Sequence, residues 1–391
     1  MSKVNEYSKK FTDNLSGDRI IWIVVAVLSI ISLLAVYSST GSLAYKYHGG
    51  NSFYYMLKHA GLTLFGLLIM YGAHLVKYKY YSRISQLLLL IAIPLLMITL
   101  VSGANLNDAS RWLYIPVINL SFQTSDLAKL ALIMYLARLL SKKQEDIKDL
   151  RKGFLPLMIP IIITVGLIFP ANFSTAAILF TTSLILLFIG RINVKYILAV
   201  IGSGLVFVLI LLIIAQTFPQ ILPRLDTWKA RVENFSDKES EGNFQAEQSK
   251  IAIATGGLLG KMPGNSMQRN FLPHPYSDFI FAIIIEEYGL AGGFVIIMLY
   301  LVLLYRAIRI ALQSPGTFGT FLSIGLMFSL VFQAFINMAV AVNLLPVTGQ
   351  PLPLLSMGGT SLWFTSFSIG IVLSVSREIN QVEMEKAKEN E

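Results

Sequence analysis

The chain has 391 residues, 55% of them hydrophobic and only 14% charged, with a formal net charge of +9. Soluble domains carry about 25% charged residues, so this composition excludes an ordinary soluble fold and describes an integral membrane protein. There is no cysteine, and the four histidines, His48, His59, His74 and His274, lack ligand spacing, which rules out thiolate chemistry and disulfides and argues against a zinc site.

Apolar runs of about 20 residues cross a hydrocarbon slab about 30 Å thick as helices. About ten are expected, near Ile20 to Tyr37, Leu57 to Leu75, Leu87 to Val101, Thr124 to Leu140, Phe154 to Phe169, Thr175 to Ile189, Tyr196 to Gln216, Phe279 to Leu304, Phe318 to Val340 and Ser361 to Val375. The first follows a charged leader with Lys3, Lys9, Lys10 and Arg19, but is too long for a cleaved signal peptide and is expected to be retained. Basic residues then recur on alternate sides: Lys77, Lys79 and Arg83; Lys142, Lys143, Lys148, Arg151 and Lys152; Arg191 and Lys195; Arg306 and Arg309; Arg377. By the positive-inside rule the expected fold is an all-α polytopic membrane protein with about ten transmembrane helices and both termini cytoplasmic. A large extracytoplasmic loop, residues 219–278, joins the seventh and eighth helices, and its first half carries Arg224, Lys229 and Arg231 before a polar, mobile stretch from Ser236 to Asn243. Residues 1–19 form a cytoplasmic segment, 20–376 a single transmembrane domain and 377–391 a charged cytoplasmic tail expected to be disordered. The positive charge is topogenic, with some left for anionic membrane lipids; scattered over short loops, it offers no contiguous face to nucleic acid.

Polar residues punctuate the apolar pattern. At the entry to the fourth span stand Gln123, Ser125, Asp126 and Lys129. Asp126 and Lys129, spaced i, i+3, can face one another on a helix. Either they form an internal ion pair that lets both enter the membrane, or Lys129 faces a cavity and meets an anion; each ionisable group at a span centre costs about 2.5 to 3.5 kcal/mol. Pro170 to Thr175 reads as a turn with helix-capping groups. In the outer loop, Gly256-Gly257-Leu258-Leu259-Gly260-Lys261 resembles a phosphate loop but lacks glycine at Thr255 and Ser or Thr at Met262. Its amides and Lys261 could still hold a diphosphate, although flexible-loop glycine is the plainer account. The loop ends in Ser277-Asp278, a lone acid where water meets membrane, which is either a helix N-cap or a catalytic group. Glu286 follows about 12 Å deeper along the helix, where it must be protonated, paired or facing a wet cavity, with Lys129 and Arg111 as candidate partners. Gln333 and Asn337, at i, i+4, form one polar stripe explained by interhelical hydrogen bonds. The irregular segment NLLPVTGQPLPLLSMGGTS is tolerated at membrane level only when it lines a cavity, and so reads as a wall of the site.

At these residues the chain resembles the SEDS family (shape, elongation, division and sporulation), polytopic glycosyltransferases that polymerise lipid II. The resemblance covers nearly the whole chain. It is strongest at LPHPYSDFIFAIIIEEYG, at the LLPVTGQPLPLLSMGGTS loop, and at Arg111-Trp112 followed by FQTSDLAK. Gly264-Asn265-Ser266-Met267-Gln268 before Leu272-Pro273 looks more like the cell-division member than the elongation member. The resemblance implies that Asp278 is the general base. Lys129 and Arg111, helped by Lys261 and Arg269, would neutralise the diphosphate, and Gln123 and Ser125 would bind beside them. Asp126, Glu286, Glu287, Gln248, Thr348, Ser356, Gly358 and Gly359 would support the site, with Glu286 orienting the cations or helping to hold a metal. A divalent cation, Mg or Mn, and no organic cofactor is implied. The implied partners are lipid II and the growing glycan strand, a class B penicillin-binding transpeptidase and other divisome membrane proteins, at the septum of a bacterial cytoplasmic membrane. Departures from the family pattern are Thr124, Asp126, Asn172, Tyr276, Ile285, Asn343, Gln350 and Met357; Tyr276 removes a histidine next to the aspartate. The alternatives are a flippase for polyprenyl-linked lipid and a non-catalytic scaffold of the division complex, for which helix-breaking residues and intramembrane charges would serve as a pathway or as packing.

Overall fold

The computed structural model describes residues 16–102, 104–106, 109–115, 120–217 and 244–389. The leader lysines, the first half of the outer loop with Arg224, Lys229, Arg231 and the stretch 236–243, and the side chain of Arg111 lie outside the described residues.

Helix α1 (Arg19–Ser39) leads through a short outer helix α2 (Gly41–His48) to α3 (Ser52–Leu75) and α4 (Tyr78–Ser102). Strands β1 (Ala104–Leu106), β2 (Ala109–Ile115) and β3 (Leu120–Gln123) form an antiparallel sheet in that order. Helix α5 (Thr124–Lys142) follows, then a π-turn at Leu150–Phe154, α6 (Leu155–Ile168), α7 (Phe173–Ile189) and α8 (Val194–Thr217). The described part of the outer loop contains α9 (Phe244–Gly256) and a 3₁₀ turn at Gln268–Asn270, before α10 (Ile280–Gln313), α11 (Thr317–Ala341) and α12 (Thr360–Glu389).

Among the described residues, eight helices are long and apolar enough to cross a membrane: α1, α3, α4, α6 with its leading turn, α8, α10, α11 and α12. The two remaining expected positions are held by α5, whose entry is charged, and by the shorter apolar α7. Outward faces carry large apolar side chains such as Leu64, Leu68, Leu90, Phe188 and Leu205, as a lipid-facing surface requires. The core is built on α5 and the first turns of α10, where residues 280–287 are all buried. At one end, Asp18 caps α1 through Ile20 and Ile21 and pairs with Arg306 at 2.5 Å. Lys79 pairs with Glu378 at 2.8 Å, and Arg377 donates to the Leu75 carbonyl at 2.8 Å. These ties gather the basic ends of α1, α3, α4, α10 and α12 on the side that the positive-inside rule makes cytoplasmic.

Several expectations need correction. The chain is mostly helical as expected, but it also holds one small sheet, in which β2 pairs with β3 in a register that sets Trp112 against Gln123 and Leu113 against Phe122. The strands satisfy backbone groups where the chain has left the helical bundle, and they are too short for periodicity to show. The tail after Arg377, expected to be disordered, continues α12 through Glu389, because Glu378 is held by Lys79 and the rest is rich in helix-forming Glu, Lys and Ala. Finally, α10 is interrupted at Gly289 (φ 72°, ψ −175°), and the Gly256–Lys261 segment docks into the break. Leu290 and Ala291 donate to the carbonyls of Gly257 and Leu258 at 2.9 and 3.2 Å, and Lys261 N–H donates to the Glu286 carbonyl at 2.9 Å. A Cβ on Gly289 would stand 2.2 Å from the Leu258 oxygen, and one on Gly260 2.2 Å from the Glu287 oxygen. These glycines therefore permit backbone to lie on backbone. The Gly260 and Lys261 amides are spent on protein carbonyls, so these two are not left to cradle a phosphate.

Candidate functional site

Three segments converge on Asp278: its own loop, the irregular segment after α11, and the polar stripe of α11. Helix α10 begins at Ile280 with Phe279 at the cap position, so Asp278 stands one residue ahead of the cap. Asp278 is half-buried, and its Oδ1 accepts from the Ser277 hydroxyl at 2.9 Å. Its backbone is held more firmly. Asn337 Nδ2 donates to the Asp278 carbonyl at 2.9 Å and to the Gln350 carbonyl at 2.8 Å. Ser356 donates to the Ser277 carbonyl at 2.6 Å, and Met357 N–H to the Tyr276 carbonyl at 2.9 Å. Gly349, at φ 65°, lies against the carboxylate: a Cβ there would be 3.7 Å from Asp278 Oδ2. Thr348, Gly358 and Gly359 are half-buried in the same wall.

The second polar centre is continuous with the first. Lys129 pairs with Asp126 Oδ1 at 2.8 Å and donates to Gln333 Oε1 at 3.1 Å, and Gln333 Nε2 donates to the Pro351 carbonyl at 3.0 Å. Gln333 and Asn337, one turn apart, thus hold the adjacent carbonyls of Pro351 and Gln350 and connect Lys129 to Asp278 through one peptide. The ion pair expected of Asp126 and Lys129 is present, and Lys129 also lines a cavity of about 60 Å³ with Asp126, Gln333, Pro353, Ser361 and Thr365. Gln123 and Ser125 are buried and bonded to each other at 2.9 Å. Gln350 reaches Thr175 at 2.8 Å, beside the Asn172 cap of α7. Gln333 makes the expected interhelical bond, to Lys129 of α5, and beyond it Gln333 and Asn337 hold loop carbonyls of the site. Their i, i+4 spacing on an apolar helix was the available signal, and the irregular loop that follows was its destination.

The other expected residues form a separate cluster on the outer loop. Glu286 is fully buried, and among the described residues its ion-pair partner is not Lys129. It pairs with Lys261 at 2.8 Å and accepts from the Ser266 hydroxyl at 2.5 Å and the amides of Met267 and Gln268 at 3.1 and 3.2 Å. Glu287 accepts from the Ser38 hydroxyl. Arg269 donates to the Ser38 carbonyl and hydroxyl at 3.1 and 3.2 Å. A carboxylate at the seventh residue of α10 stays buried because the folded loop supplies its donors. Glu286 and Glu287 therefore clamp the loop to the bundle. Gln248 is half-buried on α9, whose next residue, Ser249, donates to the Ala341 carbonyl at 2.6 Å. Tyr276, in place of a histidine, is bonded to His274 Nδ1 at 3.2 Å. Burial pushes its phenol up, assisted by Tyr55 and Asp278, so it stays a neutral hydroxyl beside the carboxylate.

No group of three or more His, Cys, Asp or Glu able to hold a metal occurs among the described residues. With Glu286, Glu287 and Asp126 each bonded to protein donors, these acids do not fit a metal cage.

Residues 18–381 match the family model FTSW_RODA_SPOVE, described as a cell cycle protein. Stage V sporulation protein E of Bacillus subtilis is 35% identical over 380 residues, covering 94% of this chain and 98% of its own. A probable peptidoglycan glycosyltransferase FtsW of Geobacter metallireducens is 34% identical over 366 residues, covering 92% and 94%. A chain solved in work on structural coordination of polymerization and crosslinking by a peptidoglycan synthase complex superposes with a TM-score of 0.73 at 25% identity, over 93% of this chain and 99% of that one. The rod shape determining protein RodA of Thermus thermophilus shares the fold, with a TM-score of 0.67 at 23% identity over 93% and 97%. Matched by the family model over almost its whole length, and by relatives of the same span, this multi-pass membrane chain belongs to the FtsW, RodA and SpoVE family, the SEDS family.

Proposed function

We propose that the chain is a peptidoglycan glycosyltransferase that polymerises lipid II at the outer face of the cytoplasmic membrane, with Asp278 as general base. The observation that carries this is the framing of Asp278. Three consecutive carbonyls, of Tyr276, Ser277 and Asp278, are gripped by Met357, Ser356 and Asn337, while the carboxylate lies half-buried against Gly349. A base must be held in place within reach of the proton it takes.

In the proposed step, a sugar hydroxyl of one molecule attacks the anomeric carbon of another. The new glycosidic bond forms as the carbon–oxygen bond to diphosphate breaks; the hydroxyl proton passes to Asp278, and the electron pair leaves with the diphosphate. Positive charge stabilises that departure, so no second carboxylic acid is required. We assign the charge to Lys129 and Arg111, with Gln123 and Ser125 beside them. Lys261 and Arg269 are held by Glu286 and Ser38 and are better assigned to fixing the loop. The names of the FtsW and stage V sporulation relatives support septal wall synthesis as the process, and the peptidoglycan synthase neighbour supports a class B transpeptidase as the partner.

Asp278→Asn is expected to lower lipid II polymerisation by about a hundredfold or more with unfolding temperature and partner binding unchanged. Near-normal product in detergent refutes the base assignment. Transbilayer movement of lipid II without polymer, measured in liposomes, favours a flippase.

A further inference from the structure

One polar cluster has no part in the chemistry above. Ser32 on α1 and His59 on α3 are both fully buried in apolar surroundings. The Ser32 hydroxyl lies 2.7 Å from His59 Nε2 and donates to the Leu355 carbonyl at 2.8 Å. Because a carbonyl can only accept, the single Ser32 proton goes to Leu355, and the Ser32 lone pair must take its hydrogen from His59. That fixes the proton of His59 on Nε2, in keeping with its Nδ1, which has no partner. Tyr300 on α10, also fully buried, donates to the Pro353 carbonyl of the same turn. Between the two gripped residues, Leu354 has φ 66°. A leucine in the left-handed region costs about 1 to 3 kcal/mol and persists only where its surroundings over-determine it.

The outward side of this turn holds the base. Ser356 accepts from Leu352 N–H at 2.8 Å and donates to the Ser277 carbonyl, and Met357 binds the Tyr276 carbonyl. Force on Leu355 is thus transmitted in two bonds to the backbone just before Asp278. We infer that His59, acting through Ser32, is a positioning residue for Asp278: a buried latch joins α1 and α3 to the strained turn and so fixes the height and direction of the base. This rests on the role of Asp278 proposed above. Interhelical packing alone would explain a Ser–His bond between α1 and α3, but not its placement on the carbonyl of a loop that in turn grips residues 276 and 277.

The test uses the full-length chain with its transpeptidase and two readouts. Polymerisation of lipid II gives kcat and KM, and peptide-resolved hydrogen exchange follows residues 276–279 and 352–357. His59→Leu and Ser32→Ala should lower kcat by about tenfold to a hundredfold, with KM within about twofold, and should speed exchange in both segments. His59→Gln, which can still donate to Ser32, should restore both. If exchange in residues 276–279 is unchanged in Ser32→Ala and His59→Leu, or if His59→Gln is as impaired as His59→Leu, there is no latch. Absence of polymer from the unaltered chain would instead sink the enzymatic reading, and the exchange measurement would still decide the latch.

Discussion

Asp126 and Lys129 show how a residue can be structural and functional at once. Lys129→Ala would leave Asp126 buried without a cation, and its Oδ2 already lacks a partner. Breaking a buried pair from one side costs about 3 to 5 kcal/mol, so inactivity of that variant alone cannot separate folding from catalysis. Removing both charges can. Asp126→Asn with Lys129→Gln is expected to regain most of the unfolding temperature lost in Lys129→Ala while polymerisation stays at background; recovered polymer would confine Lys129 to structure. At this scale the sequence was informative where the chemistry is local. Asp278, the Asp126–Lys129 pair and the wall with Gly349 and Ser356 could be named in advance. The partner of Glu286 could not, because Lys261 reaches it only once glycine-rich backbone has docked into a helix, a contact with no signature in side-chain spacing.

That docking makes α10 two elements in one. The segment before Gly289 carries the clamp for the outer loop, and the segment after it packs in the bundle. Gly289→Ala brings a Cβ onto the Leu258 oxygen and imposes a φ that L-residues avoid. The expected loss is about 1 to 3 kcal/mol, read as a lower unfolding temperature together with faster proteolysis between Gly257 and Leu272. Unchanged cleavage there would mean that the loop is held elsewhere. Hydropathy could not reveal this break, since a glycine inside a long apolar run reads as tolerated. The small sheet escaped for a related reason: its strands are shorter than the window in which alternation is measurable. The helical tail escaped because its high charge density points to disorder while the helix propensity of the same Glu, Lys and Ala residues points to helix.

Over the whole molecule, legibility was highest. Alternating basic belts and apolar runs gave the order and sense of the helices, and the ion pairs Asp18–Arg306 and Lys79–Glu378 tie together ends that those belts assign to one side. The cellular role needs an experiment at the same scale. A fluorescent fusion in growing cells is expected to concentrate at the septum; an even distribution along the side wall would assign the chain to elongation instead. The Asp18–Arg306 pair also provides a datum for height. About twenty helical residues cross the hydrocarbon, and counting that many outward from Arg306 arrives at Glu286. Oil therefore ends near Glu286, and the Asp278 carboxylate, ahead of the first residue of α10, lies on the outer side of that level. On the proposed reaction, the isoprenoid tail stops well below the reacting atoms, so the site gauges its substrate upward from the phosphates and is indifferent to how long an anchor lies beneath them.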